Sequence, residues 1–182
     1  MKQAVLSFVA AIIVLSAKAQ QPPPSASDIL KEASLQAGKE KKNVFVIFHA
    51  SWCGWCKRMD KSMSDELCKK FFDDNYVICH LVVDESKDKK DLENPGASDI
   101  RDKYDGKEQG LPYWFVLDKD GKLLANARID KQDNGDIKKG DGVGCPAAEE
   151  EVAYFITVLK KTSSIKADQL EIIRKRFREN DK

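Results

Sequence analysis

The sequence predicts an α/β domain, a central mixed β-sheet flanked by helices, with an extra helix at the C-terminal end. Three observations lead there. Two short, nearly continuous apolar runs, residues 44–50 and 76–83, bracket a stretch of helical periodicity and so spell a βαβ unit with parallel strands. A hairpin follows, in which the apolar run 113–117 and the strand-like run 123–129 are separated by the turn residues Asp118-Lys119-Asp120-Gly121. Finally Val152, Phe155, Ile156 and Leu159, and then Leu170, Ile173 and Phe177, recur at the spacing of two amphipathic helices.

The size and charge of the chain bound its class. Its 182 residues, 42% hydrophobic, suffice for one buried core. Lysine and arginine total 31 and aspartate and glutamate 30, so no net field favours nucleic acid or an anionic membrane surface. Lys2 and an uncharged apolar run over 4–15 lead into Ala17-Lys18-Ala19, the pattern of a cleaved secretory signal ending at residue 19. The run is short for a bilayer span, although an N-terminal membrane anchor is the competing reading. The final residues Glu179-Asn180-Asp181-Lys182 are not a retrieval signal, and the expected location is periplasmic or secreted.

The remaining elements follow in order. Residues 20–26, with Pro22-Pro23-Pro24-Ser25, form an extended leader. The main domain spans 27–163 and opens with a helix capped by Ser27 and Asp28, carrying Ile29, Leu30, Ala33 and Ala37 inward and ending near Gly38. From Lys57 a helix turns Met59 and Met63 to the core, and a further helical stretch covers 65–72. Residues 84–94 are dense in charge and read as a mobile, solvated loop before a short helix at 98–104. Residues 130–144, rich in glycine and aspartate, read as another loop, after which Pro146 starts a helix with Glu149, Glu150 and Glu151 at its positive end. Residues 164–182 form a helical extension.

The chemistry is carried by Cys53-Gly54-Trp55-Cys56, placed where the first apolar strand gives way to a helix. Two cysteines at this spacing can join, and a helix N-terminus stabilises an anion on the first sulfur. Cys53 is therefore the expected nucleophile and the more exposed sulfur, with Cys56 resolving the mixed disulfide. A purely structural disulfide competes weakly, because so small a loop gains little chain entropy. Zinc would need two further ligands, yet there is no second Cys-x-x-Cys and the only histidines, His49 and His80, lie in apparent strands. Covalent haem attachment needs histidine where this chain has Lys57. No metal or organic cofactor is expected.

The segment Ala50-Ser51-Trp52-Cys53-Gly54-Trp55-Cys56-Lys57 resembles the active-site segment of thioredoxin-like proteins. Gly110-Leu111-Pro112, ahead of an apolar strand, is similar to that family's second landmark, a loop whose cis proline faces the dithiol. The resemblance covers residues 44–129, and the helix from Pro146 fits the family's closing helix. It implies a thioredoxin-like fold and thiol–disulfide exchange by Cys53 and Cys56, with Trp52, Gly54, Trp55, Leu111 and Pro112 shaping the substrate contact. For Pro112 the alternative is a trans proline that begins an edge strand. Trp55 stands where well-known thioredoxins have proline, and Ile47 stands where they carry a buried carboxylate, for which Lys57 or a neighbouring acid could substitute.

The implied partners are protein substrates with thiols or disulfides, with a membrane-embedded reductase as the natural electron donor in an oxidising compartment. The direction expected is reduction or isomerisation, because nothing around Trp55 supplies an extra cation for the thiolate. The competing function is a binding or folding-assistance module without turnover. Cys68 and Cys79 read as buried apolar thiols, whereas Cys145, in a glycine-rich loop, is expected to be exposed. Residues 130–135 with Asp141 approach calcium-loop spacing but lack its third-position acid and bidentate glutamate.

Overall fold

The computed structural model describes residues 22–133 and 136–182, and the side chains of 130–139 are outside that description. The proposed signal segment and Gln20 and Gln21 of the leader lie outside the described residues, as do the side chains of the calcium-like stretch apart from Asp141.

Helix α1 (Ala26–Glu40) is capped by Ser25, whose hydroxyl accepts the Asp28 amide at 3.2 Å, two residues earlier than the expected cap. It runs past Gly38 and ends where Lys41 adopts a left-handed φ of 57° and returns its amide to the Ala37 carbonyl. Ala26, Ala33 and Ala37 are buried, and Ile29 and Leu30 pack partly against the core. Strand β1 (Asn43–His49) then runs through the middle of the sheet, with its five inner residues buried.

After β1 come α2 (Gly54–Met63), α3 (Lys69–Asn75) and β2 (Tyr76–Val82). The helical stretch expected from residue 65 starts only at Lys69. Asp65 supplies the reason, because its carboxylate takes the Leu67 amide and its carbonyl the Cys68 amide, a local turn that displaces the helix. Strand β2 pairs parallel with β1, completing the βαβ unit. It occupies one edge of the sheet, so His80 is exposed where burial on both faces was expected.

The charged stretch after β2 contains a short 3-10 turn (Lys87–Leu92) without buried residues, but its ends are anchored. Asn94 is buried, donates to the Pro24 carbonyl and accepts the Val82 amide at 2.7 Å. Helix α4 (Ala97–Lys103) leads to β3 (Tyr113–Leu117), which is wholly buried and pairs antiparallel with β1. A turn in which Gly121 takes φ 82° returns the chain as β4 (Leu123–Asn126), and the sheet order is β2-β1-β3-β4.

The strand expected over 123–129 is two strands. Asn126 accepts the Arg128 amide on its own side chain, and beyond that bend β5 (Arg128–Asp133) leaves the main sheet to pair with β6 (Asp136–Gly142). The segment read as a loop is thus a β-ribbon. Asp133 is paired with Asp136, and the dipeptide between them in sequence, Asn134-Gly135, is itself a strong hairpin signal set among polar residues.

Helix α5 (Glu149–Thr162) starts three residues after Pro146, and Glu151 accepts the amides of Ala147 and Ala148, each at 3.0 Å. Helix α6 (Ala167–Arg178) buries Leu170, Ile173 and Phe177, and Phe177 meets Phe155 of α5 at 4.8 Å between ring centres. A final 3-10 turn (Glu179–Asp181) carries Asn180 to the side of α2, where its amide nitrogen donates to the Pro146 carbonyl and its amide oxygen accepts the Ser62 hydroxyl. The Asn180 carbonyl also accepts Arg58 at 3.0 Å, so the last turn braces the helix that carries the dithiol.

Candidate functional site

The site is built where the central strand ends. Cys53 and Cys56 are joined as a disulfide, with their Cα atoms 5.3 Å apart. Cys53 is the N-cap of α2, and its sulfur accepts the Cys56 amide at 3.1 Å. A free amide of the first helical turn thereby points at the first sulfur, the geometry that favours negative charge there.

Both sulfurs are covered in this oxidised form. Cys53 and Cys56 are each 2% exposed, so the expected difference in exposure between them is absent. They pack with Ala50 and with Leu111 in a small apolar cluster. The Leu111–Pro112 peptide bond is cis, not the trans edge-strand alternative. The register of β3 brings that loop to the dithiol, because Tyr113, next after Pro112, pairs with Phe48 near the end of β1.

Around the covered sulfurs the surface is aromatic. Trp52 is 60% and Trp55 47% exposed, an unusual exposure for the largest apolar side chain. Trp55, Leu111, Pro112, Val143 and Cys145 are among the residues that line a cleft of about 230 Å³ beside the dithiol. Trp114 fixes the far wall by donating its indole N–H to the Gly144 carbonyl at 2.9 Å. Trp55 shares this cleft with Leu111 and Pro112, Leu111 also packs against the disulfide, and Trp52 and Gly54 flank the sulfurs in sequence as exposed residues.

The residues just before Cys53 are clamped by the charged segment after β2. Glu85 is buried and accepts the Ser51 amide at 2.5 Å and the Ser51 hydroxyl at 2.8 Å, while the Asp84 carbonyl accepts the Trp52 indole at 2.8 Å. Burial would raise the Glu85 carboxyl, but the two Ser51 bonds, helped by Lys89 and His49, bring it below its usual value. The stretch expected to be simply solvated therefore holds the turn that presents Trp52.

Two further contacts were not foreseen. Arg58 places its guanidinium 4.6 Å from the centre of the Trp55 ring, so this tryptophan does have a cationic neighbour and the sequence-based ground for a reducing direction is removed. His49 and His80 meet edge to face at 5.2 Å, and His80 Nε2 lies 2.9 Å from the Asp60 carboxylate of α2. Ile47, in the place of the family's carboxylate, is buried between His80 and Trp114 in register, and Lys57 is exposed. The Arg58–Trp55 contact is an i, i+3 pair within α2 and was open to a sequence reading, whereas the histidine–aspartate contact depends on the pairing of β1 with β2 and on α2 lying beside them.

The remaining cysteines are free and buried, Cys145 included, contrary to its expected exposure. The Asn180 amide, 3.4 Å from the Cys145 sulfur, is part of what covers it. Among the described residues no group of three or more histidine, cysteine, aspartate or glutamate side chains is arranged to hold a metal ion, and no helix is long and apolar enough to cross a membrane.

A family model described as thioredoxin-like matches residues 26–119. No curated protein matches the chain significantly. Among solved structures, it is similar to a disulphide isomerase from Xylella fastidiosa Temecula1 at 20% identity, over 59% of this chain and 77% of that one, with a TM-score of 0.47. A DsbH oxidoreductase is 19% identical over 87% of this chain and 95% of its own, with a TM-score of 0.41. The oxidised C-terminal domain of DsbD from Neisseria meningitidis is 22% identical over 57% and 85%, with a TM-score of 0.38. Membership rests on the family match and not on these distant likenesses. Because that match runs from α1 through β3 and takes in both the dithiol and the cis proline beside it, this chain belongs to the thioredoxin-like family, as a thiol–disulfide oxidoreductase.

Proposed function

We propose that the protein is exported to the periplasm or the extracellular space and exchanges disulfides with protein substrates there, acting as a reductase or isomerase. The observation that carries the reading is the disulfide at the tip of α2, walled by the cis Leu111–Pro112 bond and rimmed by two exposed tryptophans. Cys53 attacks a client disulfide and Cys56 resolves the mixed disulfide, while Trp52, Gly54, Trp55, Leu111 and Pro112 form the contact surface. Aromatic faces with little side-chain freedom suit transient contact with an extended polypeptide.

Burial supports the reducing direction. A thiolate on Cys56 would sit in an apolar cluster at 2% exposure, which favours the bonded form and makes the dithiol a willing donor, against the helix N-terminus that favours the anion on Cys53. Arg58 acts the other way through its charge, but it is engaged with the Trp55 face and the Asn180 carbonyl. Export is supported by the charge and apolar pattern of residues 1–19. In an oxidising compartment the spent disulfide needs a donor, for which a membrane-embedded reductase has the right chemistry.

Substituting Cys56→Ser tests exchange directly. The variant should accumulate mixed disulfides between Cys53 and client proteins, visible as reductant-sensitive adducts on gels. A folding-assistance module that only holds clients would trap none. Equilibration with glutathione then gives the potential, and a value near that of strong oxidants would reverse the direction.

A further inference from the structure

We infer that His49, His80 and Asp60 form the proton-handling group of this dithiol, receiving the proton that Cys56 sheds before it resolves a mixed disulfide. The inference rests on the exchange activity proposed above and concerns how the chain performs it.

The need arises from burial. A thiolate is the attacking species, and Cys56 is 2% exposed in the oxidised form, so solvent has little access to it and a base within the protein is well placed to take its proton. The cluster comes from the two elements that flank the dithiol, the end of β1 and the body of α2. Asp60 lies one helical turn further along α2, at the i, i+4 spacing that places two side chains on one helix face. His49 is the last residue of β1 and directly precedes Ala50, which packs against both sulfurs. His80 links the two, with its Nε2 at 2.9 Å from Asp60 and its ring 5.2 Å from that of His49. An ionised carboxylate can only accept, so His80 donates Nε2–H to Asp60.

Other charged groups face the cluster. Glu85 acts on His49 from the segment after β2, and Lys69 and Asp73 of α3, paired with each other, share a recess of about 270 Å³ with Asp60 and His80. Burial first, and then His80, hold His49 below its usual value of 6.5, while Asp60 and Glu85 pull it upward. Above that lowered value the imidazole is neutral and can accept a proton.

The step balances as follows. The Cys56 thiol gives its proton to the imidazole, and the resulting thiolate forms a bond to the Cys53 sulfur. The bond between Cys53 and the client sulfur breaks, and the client leaves as a thiolate that is reprotonated by the imidazolium or by water. The dithiol has then lost two electrons and the client disulfide has gained two.

The test follows the rate at which the reduced full chain reduces insulin between pH 5 and 9. The unaltered protein should lose rate as pH falls through a point below 6.5. His49→Asn should lower the rate at pH 7 by about tenfold or more and remove that acid limb, leaving a rise only toward the thiol range. Asp60→Asn, at a half-exposed position where folding is not at stake, should move the acid limb to lower pH, because a carboxylate that favours the imidazolium is gone. Thermal melts report folding, and if His49→Asn does not fold, Asp60→Asn decides alone. Profiles of the folded variants that superimpose on that of the unaltered protein overturn the inference while leaving exchange itself intact. Absence of any insulin reduction by the unaltered protein removes the exchange reading, and this inference with it.

Discussion

The five cysteines divide into two environments within a single domain. Cys53 and Cys56 sit at the entrance to α2, joined to one another, with an amide of the first helical turn aimed at the first sulfur. Cys68, Cys79 and Cys145 are set among core side chains, where burial pushes their thiols up from 9.0 to about 11, about 12 and about 12. All five are nearly inaccessible in the oxidised state, so exposure does not separate the reactive pair from the inert three. What separates them is the donor at the sulfur: the Cys53 side chain receives an amide of the first turn of α2, whereas Cys68, although it also precedes a helix, makes no such bond, and desolvation is the largest influence on all three buried thiols.

The sharpest way to break that contrast is Cys53→Ala. Exchange should fall to the background of free thiols, measured by insulin reduction, while the melting temperature of the variant stays comparable to that of the reduced protein. Retained activity would mean that one of the buried thiols can react. Next in size is alkylation of the reduced, folded protein at pH 8. With thiol values of about 11 to 12, Cys68, Cys79 and Cys145 expose only a small thiolate fraction. They should label on the order of 10³-fold more slowly than Cys53, as peptide mass spectrometry can resolve.

The same shifts carry a stability consequence of definite sign. Each of these thiols is raised in the folded state, so its neutral form is favoured there, and the associated stability is intact below the ordinary value of 9.0. It is lost as pH rises from 9.0 through about 11 to 12, and denaturant midpoints should drop over that range. Replacing Cys79 with alanine should remove part of that alkaline loss. Its cost at pH 7 should be about 1 kcal/mol, from a small cavity in the core, with insulin reduction unchanged.

Much of the site was legible in advance because its determinants are local. A β-branched, aromatic run that ends in Cys-x-x-Cys and passes into helical spacing places a dithiol at a strand-to-helix junction, and Pro112 ahead of the run 113–117 marks the facing loop. The surroundings were less legible. Residues 128–142 read in sequence as strand end and loop because their composition is polar, although the two strands pair with each other as a ribbon. Glu85 looked like one more charge in a charged stretch, and only its meeting with Ser51 distinguishes it.

By itself the sequence determined the order of elements, the pair of sulfurs that can join and the family to which the chain belongs, since periodicity and short spacings are properties of neighbouring residues. Tertiary structure alone decided that Asp60 meets His80, and that Asn180 covers Cys145 and braces α2 from 118 residues beyond Ser62. Those contacts join segments far apart in the chain. The Asn180 contacts exist because burial of Phe177, Ile173 and Leu170 draws the last helix onto the core, a condition that no local pattern encodes.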